Sequence, residues 1–298
     1  MGSLVARMIR EIHSYHAFQN SRTKKERFLL IHKTITIQTK HTEVPLYTYF
    51  LNQSPEIDPE RKRPIVIVCP GGSYERTSDR EAEPVAIKFN AMGFHACVLR
   101  YSVKPAPFPT SLFELAKTVA LIRENATEWN VDTSKIIVAG FSAGGHLAAS
   151  LGVFWKESFL AESLDVSSDE LKPNGLLLSY PVISSTEYAH KGSFRALLGD
   201  KYKELLPRVS LENHVTAHTP PTFLWHTYTD EAVPVQNSFM FAQALLKYQV
   251  PLEMHIYPRG IHGLSLGTEE TKAYNNQATV QGEVANWIDM AGVWIRGL

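Results

Sequence analysis

Apolar and polar positions along this chain follow two different rhythms, which change over at Pro64. Residues 1–30 read as an amphipathic helix and a polar linker, so a helical extension without legible chemistry is expected over 1–32. Alternating or β-branched runs follow at 33–39 and 44–51, with His41-Thr42-Glu43 between them. That spacing predicts an antiparallel hairpin.

Beyond Pro64, short apolar runs alternate with helical patterns. Strands are predicted at 65–69, 95–101, 136–141, 175–180, 222–227 and 252–257. Helices are predicted at 80–92, 112–129, 144–155, 235–248 and about 277–294. In the second of these, Leu112, Leu115, Val119 and Ile122 fall on one face at helical spacing. Apolar runs without alternation suit strands buried on both faces, as in a parallel sheet covered by helices. The expectation is an α/β chain with a mostly parallel sheet of about eight strands, a leading antiparallel hairpin and helices on both faces. The stretch 183–219 lacks strand character and reads as a helical, lid-like excursion over the sheet's C-terminal edge.

Composition narrows this reading without redirecting it. A length of 298 residues admits one large domain or two smaller ones. No repeat, low-complexity tract or linker interrupts it, so a single domain is expected over 33–298. Lysines and arginines number 30, as do the acidic residues, so no basic surplus points to nucleic acid or an anionic membrane. Cys69 and Cys97 fall in apolar runs and read as buried, reduced thiols. The first ten residues lack the apolar stretch of a signal peptide, and no segment is long enough to span a bilayer. A cytoplasmic location is therefore the default expectation. Self-association as a homo-oligomer stays open.

Candidate chemistry concentrates at Gly140-Phe141-Ser142-Ala143-Gly144, between a predicted strand and a predicted helix. A G-x-S-x-G run in that context is a nucleophile elbow, a tight turn that stands the serine hydroxyl clear of the backbone. A serine needs a base within reach, and the base needs an orienting group. Asp230 lies just past the strand at 222–227, and His262 just past the last strand, between Gly260 and Gly263. Ser142, Asp230 and His262 thus sit on loops at one sheet edge, where open α/β folds bind ligands. Glu231 competes with Asp230; Asp230 comes first after the strand, but which carboxylate faces the imidazole stays open.

Cys69-Pro70-Gly71-Gly72-Ser73-Tyr74 follows the strand at 65–69. Small residues there let backbone N–H groups approach a developing oxyanion. Donors are expected from Gly72, Ser73 and Ala143, and Tyr74, on the same loop, is a candidate substrate contact. His13 with His16 and His214 with His218 have helical spacings but no cysteine or carboxylate pattern beside them, so no metal site is expected. His146, inside the helix after the elbow, reads as a packing or polar-network residue.

The motifs resemble those of the α/β-hydrolase superfamily, within it the esterase/lipase-like branch of bacterial acetyl esterases and acetyl-xylan or feruloyl esterase-like proteins. The resemblance rests on Pro70-Gly71-Gly72-Ser73-Tyr74, Arg80-Glu81-Ala82-Glu83-Pro84, Leu99-Arg100-Tyr101-Ser102, Gly140 through Ala148, Ser179-Tyr180-Pro181-Val182, Thr229 through Pro234 and Gly260-Ile261-His262-Gly263. It covers roughly residues 33–298. It implies an α/β-hydrolase fold and a cofactor-free serine esterase acting on a small ester, such as an acetylated sugar. Ser73 departs from the pattern, standing where such proteins usually carry a third glycine. A prolyl-oligopeptidase-like peptidase and a non-catalytic binding protein on the same fold are the alternatives.

Overall fold

The computed structural model describes residues 32–298. The helix expected before them lies outside the described residues. The strands are β1 (Thr34–Gln38), β2 (Glu43–Tyr49), β3 (Arg63–Cys69), β4 (His95–Leu99), β5 (Val131–Phe141), β6 (Gly175–Ser179), β7 (Thr222–Thr227) and β8 (Leu252–Tyr257). They form one sheet in the order β1-β2-β4-β3-β5-β6-β7-β8. β1 pairs antiparallel with β2, as does β2 with β4, and every later pairing is parallel.

The larger helices are α1 (Glu83–Ala91), α2 (Thr110–Glu124), α3 (Ala143–Phe154), α4 (Ser158–Leu164), α5 (Lys191–Leu198), α6 (Gln236–Lys247) and α7 (Trp287–Gly297). Strand alternation sorts them into two layers. Ile65, Ile67 and Cys69 face the core shared with α2, α3 and α6, while Val66 and Val68 face the core shared with α1 and α7. On α2, Leu112, Leu115, Val119 and Ile122 are all buried. Each fully buried aliphatic side chain contributes about 1.5–3 kcal/mol, so this stripe alone anchors the helix.

Three helices differ from the sequence expectation, the first two for local reasons and the last for a contact between loops. Pro84 lacks an N–H and suits the first turn, so α1 begins at Glu83, after a 3-10 turn at Asp79–Glu81. The helix expected over 112–129 stops at Glu124, where the Asn125 side chain donates back to the Leu121 carbonyl at 2.8 Å. A separate turn, Ala126–Trp129, then ends at Asn130 with φ 55°. The last helix starts only at Trp287, because the Gln281 amide donates to the Gly267 carbonyl at 2.8 Å and holds the chain against another loop.

The 183–219 excursion is helical in short pieces and packs closely. Phe194, Leu197, Val209 and Leu211 join the α2–α3–α6 core. The Asn237 side-chain oxygen accepts the Ile183 and Ser184 amides at 3.0 and 2.9 Å and fixes the start of the excursion to α6.

Parallel strands end at one edge. Cys69 is in register with Gly140, Phe141 with Ser179, and Thr227 with Tyr257. The loops after β3, β5, β6, β7 and β8 therefore emerge side by side, and together with the first residue of α3 they hold every candidate site residue.

Candidate active site

Ser142 occupies the single residue between β5 and α3, with φ 53° and ψ −116°. A non-glycine residue there carries strain of about 1–3 kcal/mol, sustained by the packing around it. The Ser142 amide donates to the Ser179 carbonyl at 3.0 Å, and its own carbonyl accepts the His146 and Val182 amides, both at 3.1 Å. The glycines allow the close approach: a Cβ on Gly140 would lie 2.2 Å from the Gly144 oxygen, and one on Gly144 would lie 2.1 Å from the Cys69 oxygen. The elbow is thus pressed directly against the loop leaving β3.

Across the sheet edge, Ser142 Oγ lies 2.7 Å from His262 Nε2, and His262 Nδ1 lies 2.6 Å from Asp230 Oδ2. A carboxylate only accepts, so Nδ1 carries the imidazole proton. Nε2 is left with a lone pair for the serine hydroxyl. Asp230 is 5% exposed, whereas Glu231 is exposed. Asp230, not Glu231, faces the histidine.

Asp230 is heavily supported. Its Oδ1 accepts the Ala232 and Val233 amides at 3.0 and 2.9 Å, and its Oδ2 also lies 3.2 Å from Nε2 of the buried His226. That nitrogen is 3.0 Å from the Val233 carbonyl as well, so both neighbours are acceptors and Nε2 bears the proton. Burial is the largest influence on the Asp230 carboxyl and raises its pKa. Hydrogen bonds from His226 and His262, the His262 charge and the Val233 amide together outweigh it and hold the group well below the usual carboxylate range.

The loop after β3 runs through left-handed backbone, with φ of 131° at Gly72, 61° at Ser73 and 58° at Tyr74. A Cβ on Gly72 would lie 2.2 Å from the Arg76 oxygen, so this position requires glycine. Ser73 takes the strained conformation despite its side chain. No protein acceptor among the described residues takes the Gly72 or Ser73 amide. Ala143 is the first residue of α3, where helical N–H groups lack intrahelical partners and the helix end is electropositive. The three expected donors are therefore chemically free.

Tyr74 is placed differently from the sequence expectation. Its side chain is 2% exposed, and its hydroxyl lies 2.9 Å from His146 Nδ1. The left-handed turn sends it into the core rather than toward solvent beside Ser142. His146 Nε2 faces the Val209 carbonyl at 2.9 Å, so Nδ1 accepts from the tyrosine. Burial lowers the His146 pKa to about 4, keeping it neutral.

Sequence reasoning missed three further residues around the site: His226, Glu81 and Tyr180. His226 is the one ionisable residue in β7, a signal available in the sequence. Glu81 and Tyr180 lie in motifs that carried the resemblance, but nothing local marks them as neighbours. Tyr180 follows β6 with φ 38°, and its ring meets the His262 ring edge-on at 5.1 Å. No cluster of three or more His, Cys, Asp or Glu among the described residues is arranged to hold a metal ion. None of their helices is long and apolar enough to cross a membrane.

The BD-FAE family model matches residues 54–245, more than half of the chain. The chain belongs to the BD-FAE family. Endo-1,4-beta-xylanase B of Butyrivibrio fibrisolvens is 38% identical over 216 residues, covering 70% of this chain and 34% of that protein. An acetylxylan esterase of Xylanibacter ruminicola is 29% identical over 230 residues, covering 75% of this chain and 45% of that one. The chain thus spans about a third to a half of the length of these relatives. Solved structures match over nearly their whole length. An acetyl ester-xyloside bifunctional hydrolase from Caldicellulosiruptor lactoaceticus superposes with TM-score 0.77 at 35% identity, covering 91% of this chain and 97% of that one. The carboxylesterase Cest-2923 from Lactobacillus plantarum superposes with TM-score 0.79 at 30% identity, covering 89% and 96%. This BD-FAE member is an esterase-like α/β-hydrolase with the mostly parallel, eight-stranded sheet expected from its sequence.

Proposed function

We propose that this chain is a serine-dependent carboxylic ester hydrolase that removes short acyl groups, acetyl above all, from sugars or small oligosaccharides. The observation that carries the reading is the continuous chain from Ser142 Oγ through His262 to Asp230, at 2.7 and 2.6 Å, beside three free amides. Ser142 attacks the ester carbonyl while His262 Nε2 takes its proton. Asp230 holds the imidazole tautomer and stabilises the imidazolium. Amides of Ala143, Gly72 and Ser73 receive the oxyanion. The tetrahedral intermediate collapses, and His262 returns the proton to the departing alcohol. Water, deprotonated by His262, then attacks the acyl-enzyme and releases the carboxylic acid and free Ser142. Neither a metal nor an organic cofactor enters these steps.

The acyl and alcohol preference draws support from two of the similar proteins, one named an acetylxylan esterase and one an acetyl ester-xyloside hydrolase. The test is hydrolysis of p-nitrophenyl acetate, butyrate and octanoate, then of acetylated xylo-oligosaccharides. Turnover should fall with acyl length, and Ser142→Ala should lower kcat by roughly 10⁴–10⁶-fold. Folded wild-type protein without turnover on any ester overturns the reading.

A further inference from the structure

Glu81 is a carboxylate at 4% exposure, and no salt bridge pairs it among the described residues. Both its oxygens are taken by neutral donors. Oε2 accepts the Gly71 amide at 2.8 Å, and Oε1 accepts the Tyr180 hydroxyl at 2.6 Å. The Tyr180 oxygen in turn accepts the Ser265 amide at 2.9 Å, and the Tyr180 ring lies edge-on to His262. The Ser265 hydroxyl donates to the Arg80 carbonyl at 2.6 Å, closing the circuit beside Glu81.

We propose that Glu81 is a positioning residue that ties the amide-bearing loop after β3 to the histidine loop after β8, through Tyr180. This rests on the ester-hydrolase reading of the site. Gly71 is the residue immediately before the Gly72 and Ser73 amides. A Cβ on it would lie 2.8 Å from Glu81 Oε2 and 3.0 Å from Ser142 Cβ, so the carboxylate, the loop and the nucleophile are in direct succession. The Tyr101 hydroxyl donates to the Pro70 carbonyl at 2.6 Å. The loop is thus pinned at consecutive residues, and its next two amides inherit that orientation.

The choice of a carboxylate follows from the donor count. Gly71 N–H and Tyr180 O–H are both donors, and only a carboxylate offers two acceptor oxygens and no hydrogen. A glutamine offers one of each. Its amide nitrogen would meet Tyr180 as a donor, leaving the phenol proton without a partner while its oxygen still serves Ser265. A buried charge without a cation is costly, and packing alone would be served by a neutral side chain. What the charge adds is rigidity between two loops whose relative position sets the distance from oxyanion donors to the serine–histidine pair.

Glu81→Gln, Tyr180→Phe and the double variant would be compared with wild type on p-nitrophenyl acetate, with active sites titrated and Tm recorded. Both single variants should lose about 10–100-fold in kcat per titrated site, with KM within about twofold, as expected for misplacement on the ångström scale. Affinity for a trifluoromethyl ketone, which forms an oxyanion on Ser142, should fall by the same factor as kcat/KM. The double variant should be no worse than the poorer single. Lower Tm with unchanged kcat/KM per active site, or fully additive losses, overturns the inference. If Glu81→Gln does not fold, Tyr180→Phe carries the same comparison. Inactive wild type would overturn the ester-hydrolase reading and this inference with it. Active wild type with an unimpaired Glu81→Gln overturns this inference alone.

Discussion

Replacing Asp230 by asparagine tests the site where its geometry is most specific. Oδ1 receives two backbone amides, at 3.0 and 2.9 Å, so the asparagine oxygen must stay there. The side-chain NH₂ then occupies the Oδ2 position, 2.6 Å from His262 Nδ1 and 3.2 Å from His226 Nε2. Facing a donor, His262 accepts at Nδ1 and moves its proton to Nε2. It then points an N–H at Ser142 and cannot act as base. The expected loss is about 10⁴-fold in kcat, or about 5.4 kcal/mol of transition-state stabilisation. The His226 N–H now opposes another donor but keeps the Val233 carbonyl, which adds a stability loss of about 1–3 kcal/mol. Steady-state hydrolysis of p-nitrophenyl acetate and a urea melt measure the two effects separately. Glu231→Gln is the control and should stay within about twofold of wild type, because a solvated side chain touches neither partner. A folded Asp230→Asn retaining more than about a tenth of wild-type kcat would refute the tautomer argument.

Other expectations follow from neighbouring contacts. Tyr74→Phe removes the hydroxyl that His146 accepts, so stability should fall by about 1–2 kcal/mol while KM for p-nitrophenyl acetate stays unchanged. A large rise in KM would instead place Tyr74 against substrate. Gly144→Ala puts a Cβ 2.1 Å from the Cys69 carbonyl, which must retreat and carry the adjoining loop with it. Activity should drop at least about 100-fold, more than the fall in Tm alone explains. His146 titrates near 4 when folded, below the ordinary value of about 6.5, so the unfolded chain binds its proton first. Stability from this group is complete above pH ~6.5 and declines as pH falls toward 4, by on the order of 3 kcal/mol. His146→Gln should flatten that limb in denaturant melts taken at successive pH values.

Much of this molecule is legible in one dimension. β7 and β8 span Thr222–Thr227 and Leu252–Tyr257, the bounds the sequence predicts; β7 lies inside the sheet and is wholly buried, while β8 at its edge is half-buried and carries Glu253 and His255. The elbow and the order serine, acid, histidine are legible too, since glycine spacing and strand ends are local properties. Element ends were less accessible. The last helix begins at Trp287 because Gln281 bonds to Gly267, a partner fourteen positions earlier that no periodicity reveals.

Side-chain direction belonged to the tertiary structure alone. Ser142 and His262 meet across a separation of 120 residues, and Glu81 and Tyr180 across 99. Tyr74 points inward because of its left-handed backbone, and Asp230 faces the histidine because the Ala232 and Val233 amides and the His226 ring hold its buried carboxylate. The chain by itself determined which residues stand at the sheet edge, since that depends on hydrophobic pattern and turn chemistry a few residues long. Which of them touch was decided by strand register and helix packing, for hydrogen bonds reach only about 3 Å while the sequence controls position only to the length of an element.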